Sequence, residues 1–364
     1  MPLPRHFISH TALCAVVCCA AASVAAKTLV YVSNADSKEI YVMELDGRSG
    51  GLTLVEKVPT GGMVMPLAVS PDRRFLYASL RSAPFSVTTF AIAPDSGKLT
   101  ALATVPLADN MANIATDKTG RFLLAASYGG DKISVNPIAP NGLVEATPVS
   151  VIPTGKNAHA VMTDAGNTHL LASNLGSDAM LQYKFDPATG RVEPGTPPAL
   201  ATVKGAGPRH FVFHPNQRWV FGSNELNGTV SAYGYNADQG TLNWLGSVSA
   251  LPPGFVWKEA LATADIHLTP SGKFLYATER TSNTLSAYRV DAETGGLALV
   301  GQYPTETQPR GFNIDPQGQY LLAVGQKSHA LTSYRIHPDT GALTVLQHHA
   351  MGKNPNWVEI IDLP

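Results

Sequence analysis

Short runs of aromatic and aliphatic residues recur along the chain, and a polar turn precedes most of them. Six segments share a polar turn followed by a strand that ends in small residues: 70–79, 116–126, 163–173, 214–223, 269–278 and 315–324. A seventh strand, TLVYVS at 28–33, lacks the preceding turn. The central residues of these seven strands lie 46 to 55 residues apart, and a period near this value is typical of the blades of a β-propeller.

Each repeat also contains three other strand-like segments. An innermost segment precedes the polar turn, as in PRHFVF at 208–213, and an alternating segment follows the second strand, as in NTLSAYRV at 283–290. A turn containing Asp, Pro and Gly then leads to a fourth strand, as in HPDTGALTVL at 337–346. We therefore predict an all-β protein, a seven-bladed β-propeller of four-stranded antiparallel blades, rather than a β-sandwich.

The two ends of the repeat pattern are complementary. The pattern begins on a second strand within 27–33 and finishes on an innermost strand, NPNWVEII at 354–361. We expect these two segments to pair in one sheet, because only this pairing completes seven blades of four strands. The N- and C-terminal strands would then close the ring and leave few exposed strand edges.

Residues 1–26 have the pattern of a secretory signal peptide. They contain one basic residue, Arg5, no acidic residue, an apolar run over 11–22, and small residues at 23, 25 and 26. The apolar run is shorter than the roughly 20 residues that a membrane-spanning helix needs, so we expect no membrane anchor. The sequence thus predicts a propeller domain at 27–364 and a periplasmic or secreted protein.

The charge balance and the missing motifs exclude several classes of partner. The chain has 26 Lys and Arg against 27 Asp and Glu, and this balance gives no indication of nucleic-acid binding. All three cysteines lie within 1–26, so the predicted mature domain has no disulfide and no thiolate nucleophile. The motifs GxSxG, GxGxxG and HExxH and the Walker loop are absent, and we expect neither a cofactor nor a metal. The oligomeric state is not indicated.

Polar residues concentrate at one end of the predicted strands. In an antiparallel blade, the start of the innermost strand and the end of the second strand lie at the same rim. Just beyond the second strands the sequence has Arg81, Glu225, Arg280 and Gln326. Near the start of the innermost strands it has His159, His210 and Asp265 at one equivalent position, and Arg209 and Arg310 one residue earlier. We expect the functional site at this rim.

Several arginines directed at one channel repel each other unless an anion lies among them. The rim therefore predicts an anionic ligand or a reaction that produces a carboxylate. For a single arginine the alternative is a brace between blades, and for His159 it is a hydrogen bond to the backbone. We expect the following rim residues to bind the substrate: Arg310, Arg81, His210, Asp265 and Gln326.

Five ordered segments closely resemble the propeller-type 6-phosphogluconolactonases: GAGPRHFVFHPN at 205–216, NELN at 224–227, ADIHLTPSGKFLYATER at 264–280, PTETQPRGFN at 304–313 and GQKSH at 325–329. The similarity extends over essentially all of the predicted mature chain. The family also includes fungal carboxymuconate cyclases, which make or open a related lactone. The resemblance implies a seven-bladed propeller that hydrolyses a sugar lactone to the aldonic acid.

The family's proposed catalytic residues are a histidine, arginines and a glutamate at one end of the channel. The resemblance places these roles on His159, Arg209, Glu225 and Arg280, and Arg310 belongs to the same rim. The pentose-phosphate enzyme acts on a cytosolic phosphosugar, whereas this chain has a predicted export signal. An unphosphorylated aldonolactone such as gluconolactone is therefore the alternative substrate.

Three functions fit these residues. In lactone hydrolysis a base activates water, and cations stabilise the oxyanion and the new carboxylate. Glu225 and His159 are the candidate proton-transfer groups, and their order stays open. A glutamate among arginines should have a lowered pKa, whereas a histidine with a pKa near neutrality suits transfer in either direction. The alternatives are a non-catalytic binding propeller and a lactone-forming cycloisomerase.

Overall fold

The computed structural model of the protein describes residues 1–4 and 27–363. Within 27–363, 28 strands form seven antiparallel sheets of four strands each, and the innermost strands of neighbouring sheets lie side by side around one axis. The predicted seven-bladed β-propeller is therefore confirmed. Most of the predicted signal peptide lies in 5–26, outside the described residues. No helix in the described ranges has the length and apolar character needed to cross a membrane.

The first half of the strands, in chain order, are β1 (Thr28–Asn34), β2 (Glu39–Leu45), β3 (Leu52–Pro59), β4 (Val64–Val69), β5 (Phe75–Leu80), β6 (Ser86–Ile92), β7 (Leu99–Pro106), β8 (Met111–Thr116), β9 (Phe122–Ser127), β10 (Lys132–Pro137), β11 (Ser150–Pro153), β12 (Ala158–Thr163), β13 (His169–Asn174) and β14 (Ala179–Phe185). A 3-10 turn at Leu175–Ser177 follows β13.

The second half are β15 (Val192–Ala201), β16 (Pro208–Phe213), β17 (Trp219–Asn224), β18 (Thr229–Asn236), β19 (Thr241–Ser249), β20 (Thr263–Leu268), β21 (Phe274–Glu279), β22 (Thr284–Val290), β23 (Leu297–Pro304), β24 (Pro309–Ile314), β25 (Tyr320–Gly325), β26 (Ala330–Ile336), β27 (Leu343–Ala350) and β28 (Pro355–Asp362). Blade 1 has the order β28-β1-β2-β3, and blades 2 to 7 use β4 to β27 four at a time with the innermost strand first.

The polar turns set the start of the second strands through side-chain hydrogen bonds. In blade 3 the carboxylate of Asp117 accepts hydrogen bonds from the backbone N–H groups of Arg121 and Phe122, at 2.8 and 2.9 Å. Asp315 binds the N–H of Tyr320 in the same way at 2.6 Å in blade 7. A short polar side chain at this position therefore satisfies donors that the tight turn leaves free.

The hydrophobic core is divided into seven clusters, one between each pair of neighbouring blades. Between blades 1 and 2, for example, Leu29 and Tyr31 pack with Leu76 and Phe90. The Tyr31 hydroxyl also donates a hydrogen bond across this boundary to the carbonyl of Gly97 at 3.0 Å. Each blade thus buries both of its faces against neighbours, so the ring is stabilised only when it is complete.

The ring closes as predicted. Strand β28 pairs antiparallel with β1, and the register runs from Thr28 opposite Asp362 to Val32 opposite Val358. The Thr28 hydroxyl donates a hydrogen bond to the Asp362 carboxylate at 2.7 Å. The C-terminal strand is therefore the innermost strand of blade 1, and the two ends of the propeller are held in one sheet.

Deletion of residues 355–364 should abolish cooperative unfolding, because blade 1 loses its innermost strand and two core clusters lose packing. Thermal and urea unfolding followed by circular dichroism would measure this. The matched control, Thr28→Ala, removes only one side-chain hydrogen bond of the same pairing and should cost about 1 kcal/mol with cooperativity retained. A truncated protein that unfolds like the parent would contradict closure through β28.

Candidate active site

The pairing of the innermost strands is irregular next to the rim, and these irregularities set the orientation of the candidate side chains. In blade 5 two residues, Arg209 and His210, stand opposite Ser223 alone. The same kind of β-bulge lies at His159 in blade 4, at Asp265 in blade 6 and at Arg310 in blade 7. Bulges bend a strand and re-aim its side chains, so they bring residues from four blades to one region.

Hydroxyl side chains near the ends of the second strands hold the bulges of blades 4, 5 and 6. The Ser223 hydroxyl accepts a hydrogen bond from the N–H of His210 at 3.2 Å and donates one to the carbonyl of Ala264, in the next blade, at 2.8 Å. Ser173 likewise accepts from the N–H of Ala160 at 3.0 Å and donates to the carbonyl of Arg209. Ser173 and Ser223, small residues near the ends of predicted strands, therefore connect the bulges of blades 4 and 5 to the neighbouring blades.

Glu225 lies between two arginines. Its Oε2 atom accepts a hydrogen bond from Arg209 Nε at 2.8 Å and lies 3.1 Å from Arg280 Nη2. The side chain of Arg209 is completely buried, and its Nη1 and Nη2 atoms have no hydrogen-bond partner among the described residues. A buried guanidinium with two free donors is prepared to bind an anionic oxygen.

The electrostatics of this trio keep Glu225 and Arg209 charged. Burial alone would raise the pKa of Glu225, but the charges of Arg209 and Arg280 outweigh burial and lower it. Burial, with the charge of Arg280, lowers the pKa of Arg209 to about 10, so Arg209 remains protonated at neutral pH. Glu225 is therefore an ionised carboxylate with little tendency to take a proton.

His159 is buried, and its ring lies edge-on to two other rings at the rim. The ring centroids are 5.1 Å from His210 and 5.9 Å from Tyr128, and the His159 Nδ1 atom has no partner in the described part of the chain. Burial lowers the pKa of His159 well below its usual value, and the charges of Arg209 and Arg310 add to this. The expectation of a pKa near neutrality is therefore wrong, because the sequence indicated the converging arginines but not how completely the His159 ring is desolvated.

His210 forms a buried pair with Asp265. Its Nδ1 atom is 2.7 Å from Asp265 Oδ1, while its Nε2 atom is buried and has no partner within the described ranges. Asp265 also accepts hydrogen bonds from the backbone N–H groups of Ile266 and Phe312, at 3.0 and 3.1 Å, and lies 3.3 Å from His267 Nε2. Burial and the charge of Arg209 lower the pKa of His210 to about 4 despite the carboxylate.

The other three candidate residues differ in their surroundings. Arg310 is partly buried, and its Nε atom is buried without a partner among the residues described. Burial, together with the charges of Arg209 and Arg280, lowers the pKa of Arg310 well below its usual value. The remaining two connect neighbouring blades. Arg81 Nε donates to Asn110 Oδ1, and Gln326 Nε2 donates to Asn354 Oδ1 at 2.8 Å.

Two cavities adjoin these residues. One of about 460 Å³ is lined by Arg280, by the segment 255–260 and by Lys327. The other, of about 250 Å³, lies on the propeller axis between innermost strands of six blades and is bordered by His210 and Asp265.

Trp357 and Glu359 of β28 also border the axial cavity, and the sequence analysis missed both. The Trp357 ring centroid is 5.5 Å from that of His210, and burial raises the pKa of Glu359 to about 7. Their position in NPNWVEII, already predicted to be an innermost strand, was the available signal.

Comparison with known proteins places the chain in a family. The family described as lactonase, 7-bladed β-propeller, matches residues 27–360. The chain belongs to this lactonase family. It is 39% identical over 335 residues to a 6-phosphogluconolactonase of Pectobacterium carotovorum, covering 92% of this chain and 99% of that protein. A Yersinia pestis 6-phosphogluconolactonase is also 39% identical, with 92% and 98% covered.

Among solved structures, the periplasmic gluconolactonase of Pseudomonas aeruginosa superimposes with a TM-score of 0.85. It is 25% identical to this lactonase-family chain and covers 93% of it, and all of the Pseudomonas chain is matched. Within the described ranges, the lactonase fold brings together no group of three or more His, Cys, Asp or Glu side chains that could hold a metal ion.

Glu225→Gln should lower the free energy of unfolding at pH 7 by about 3–5 kcal/mol, because buried Arg209 loses its counter-charge. The folded-state pKa of Glu225 lies below its unfolded value of about 4.5, so its contribution is present above that pH and is lost as the pH falls through the folded pKa. The difference between parent and variant should therefore shrink on acidification.

Urea unfolding at pH 7 and pH 3.5 would measure both effects. The control is Glu193→Gln, since Glu193 pairs with Arg191 at an exposed site and its loss should change stability little. Equal effects of the two substitutions at pH 7 would contradict a structural role for the buried trio.

Proposed function

We propose that this chain hydrolyses a sugar lactone of the gluconolactone type to the aldonic acid. The observation that carries the proposal is the buried guanidinium of Arg209, whose Nη1 and Nη2 donors have no partner among the described residues. It lies in a rim where Arg209, Arg280 and Arg310 outnumber the nearby acids Glu225 and Asp265. The Pectobacterium and Yersinia relatives are named 6-phosphogluconolactonases, and the Pseudomonas neighbour is a gluconolactonase.

The rim suits the charge changes of this reaction. Attack of water on a lactone carbonyl turns a neutral oxygen into an oxyanion, and ring opening then leaves a carboxylate. Donors that are already oriented and desolvated stabilise such developing charge strongly. In this proposal Arg209 and Arg310 bind the oxyanion, and Arg280 binds the new carboxylate.

In this proposal Glu225 is not the base; its role is to hold the side chains of Arg209 and Arg280. Its Oε2 atom is held by Arg209 and Arg280, and its pKa is lowered by their charges. The base is instead an uncharged imidazole, and His159 and His210 both meet this requirement because burial lowers the pKa of each. We therefore propose that a histidine, rather than Glu225, activates the water.

The cavity beside Arg280 favours an enzyme over a purely protein-binding propeller. Its volume of about 460 Å³ falls in the range typical of small-molecule sites. Lys258 and Lys327 line it together with Arg280 and one acid, Glu259, so the lining carries a net positive charge. We propose that this excess favours a substrate with a second anionic group, such as a phosphorylated aldonolactone, while a free aldonolactone is also accommodated.

Arg209→Met and Arg280→Met should each lower kcat/KM for lactone hydrolysis about 10- to 100-fold, since a charged hydrogen bond contributes about 1.5–3 kcal/mol. Acid release from a panel of aldonolactones, phosphorylated and free, would be followed at constant pH. The exposed Arg191→Met serves as the control and should retain parent kinetics. Unchanged kinetics in both rim variants would place the site elsewhere, and a parent inactive on the whole panel would favour the binding propeller.

Residues 1–26 are further proposed to direct export, after which the propeller functions outside the cytoplasm. Their composition supports this, and the Pseudomonas gluconolactonase is a periplasmic protein. Expression of the full chain in a Gram-negative host should yield a periplasmic product whose first residue is at or near Lys27. N-terminal sequencing of the fractionated protein would test this, and an uncleaved product confined to the cytoplasm would contradict it.

A further inference from the structure

The imidazole rings of His159 and His210 lie side by side at the rim, but their hydrogen-bond partners differ. His210 is paired with a carboxylate, whereas no carboxylate contacts His159 in the described part of the chain. Both rings are buried, and their centroids are 5.1 Å apart. Proximity to the arginines therefore does not distinguish His159 from His210. The two rings differ at Nδ1, which is paired with Asp265 in His210 and has no partner among the described residues in His159.

Asp265 is held so that it can only accept hydrogen bonds. Backbone N–H groups of Ile266 and Phe312 occupy one site on each oxygen, and His267 Nε2 lies 3.3 Å from Oδ2. Burial would raise the pKa of Asp265, but His267 and His210 outweigh it and keep the pKa well below its usual value. An ionised carboxylate 2.7 Å from His210 Nδ1 requires the proton on Nδ1 and leaves a lone pair on Nε2.

We propose that His210, fixed in this tautomer by Asp265, is the group that takes the proton from the attacking water. This assignment rests on the lactone hydrolysis proposed above. Asp265 is then a positioning residue that orients the ring and stabilises the imidazolium, as the carboxylate of a catalytic triad does. The pair is formed by two bulges on neighbouring blades, separated by 55 positions in the sequence.

The proton balance needs only this one histidine. Water gives a proton to His210 Nε2 while its oxygen bonds to the lactone carbonyl carbon. The tetrahedral intermediate then collapses, the bond from that carbon to the ring oxygen breaks, and the electron pair goes to the ring oxygen. That oxygen takes the proton back from Nε2, and the new carboxylic acid ionises by releasing a proton to solvent.

The surroundings of Nε2 suit this role. His210 borders the axial cavity of about 250 Å³. Its Nε2 atom is buried without a partner among the described residues, and a buried polar atom of this kind is one that a bound water would satisfy. The charged and titratable groups that act on the ring are Arg209 and Arg310, which lower its pKa, and Asp265, which raises it; His159 contacts it from blade 4. Their balance keeps His210 uncharged at neutral pH, so the lone pair is available before substrate binds.

His210→Gln should lower kcat at least about 100-fold, with KM changed only a few-fold, because general base catalysis contributes on the order of 100- to 10,000-fold. The matched control is His214→Asn. His214 is also buried, but it lies just after the far end of β16, where its Nε2 atom is 3.2 Å from the carbonyl of Gly272. This variant should keep parent kcat. Added imidazole should partly restore His210→Ala and not His159→Ala.

Asp265→Asn distinguishes a positioning role from a structural one. Loss of the negative charge should lower the pKa of His210 further, so the acidic limb of the pH profile of kcat/KM moves to lower pH while kcat falls. A variant that loses activity with the limb unmoved would overturn the positioning role. If Asp265→Asn does not fold, the tautomer of the parent decides the question.

Nitrogen-15 NMR of the histidine side chains at pH 7 reads this tautomer without any substrate. The expected result is a proton on His210 Nδ1 and none on Nε2, and the reverse would overturn the proposal. Parent-like turnover by His210→Gln together with an inactive His159→Gln would overturn the assignment while hydrolysis stands. A folded parent that hydrolyses no lactone would instead overturn the hydrolysis, and with it the role of His210.

Discussion

Closure of the ring by β28 against β1 is the constraint on which the other features depend. Each core cluster lies between two blades, so an open ring would expose two apolar faces and leave one blade incomplete. The closing strand also contributes to the axis, because Trp357 packs beside His210 and Glu359 borders the axial cavity. Residues from both ends of the chain therefore support the same central region, and stability of the fold and shape of the candidate site have a common origin.

A closed ring also allows an arrangement of charge that a looser fold would not tolerate. Arg209 is completely buried, and Arg280 and Arg310 lie near enough to depress the pKa values of their neighbours. Glu225 offsets part of this charge, and the bulges hold the remaining groups through Ser223 and Ser173. Buried like charges are unfavourable, so the packing between blades has to stabilise the rim that carries them. The stability of the site therefore depends on the packing of the whole propeller.

Much of the architecture was predictable because it repeats, whereas the contacts within the site were not. The period between equivalent residues such as Tyr31 and Tyr77 predicted seven blades, and strand direction alone placed Arg209 and Glu225 at one rim. The bulges were not predicted, because their register depends on hydroxyl groups such as that of Ser223 bonding to another blade. The pairing of His210 with Asp265 joins two repeats and has no local pattern. The lowered pKa of His159 likewise depends first on the complete burial of its ring, which the sequence does not indicate.

In the proposed hydrolysis, the Nη donors of Arg209, which have no partner among the described residues, explain how the rim can favour a transition state over the substrate. A neutral lactone carbonyl gains little from a guanidinium, whereas the oxyanion formed on attack gains a charged hydrogen bond in a water-poor site. Interactions that strengthen only in the transition state accelerate the chemical step, while uniform binding does not. Because Arg209 is already desolvated and held by Glu225, its reorganisation was completed when the protein folded. The same argument applies to ring closure of an acid, since both directions pass through one intermediate. In the proposed mechanism the rim by itself therefore lowers the barrier both ways, and the free energies of lactone and acid in solution determine which way the reaction runs.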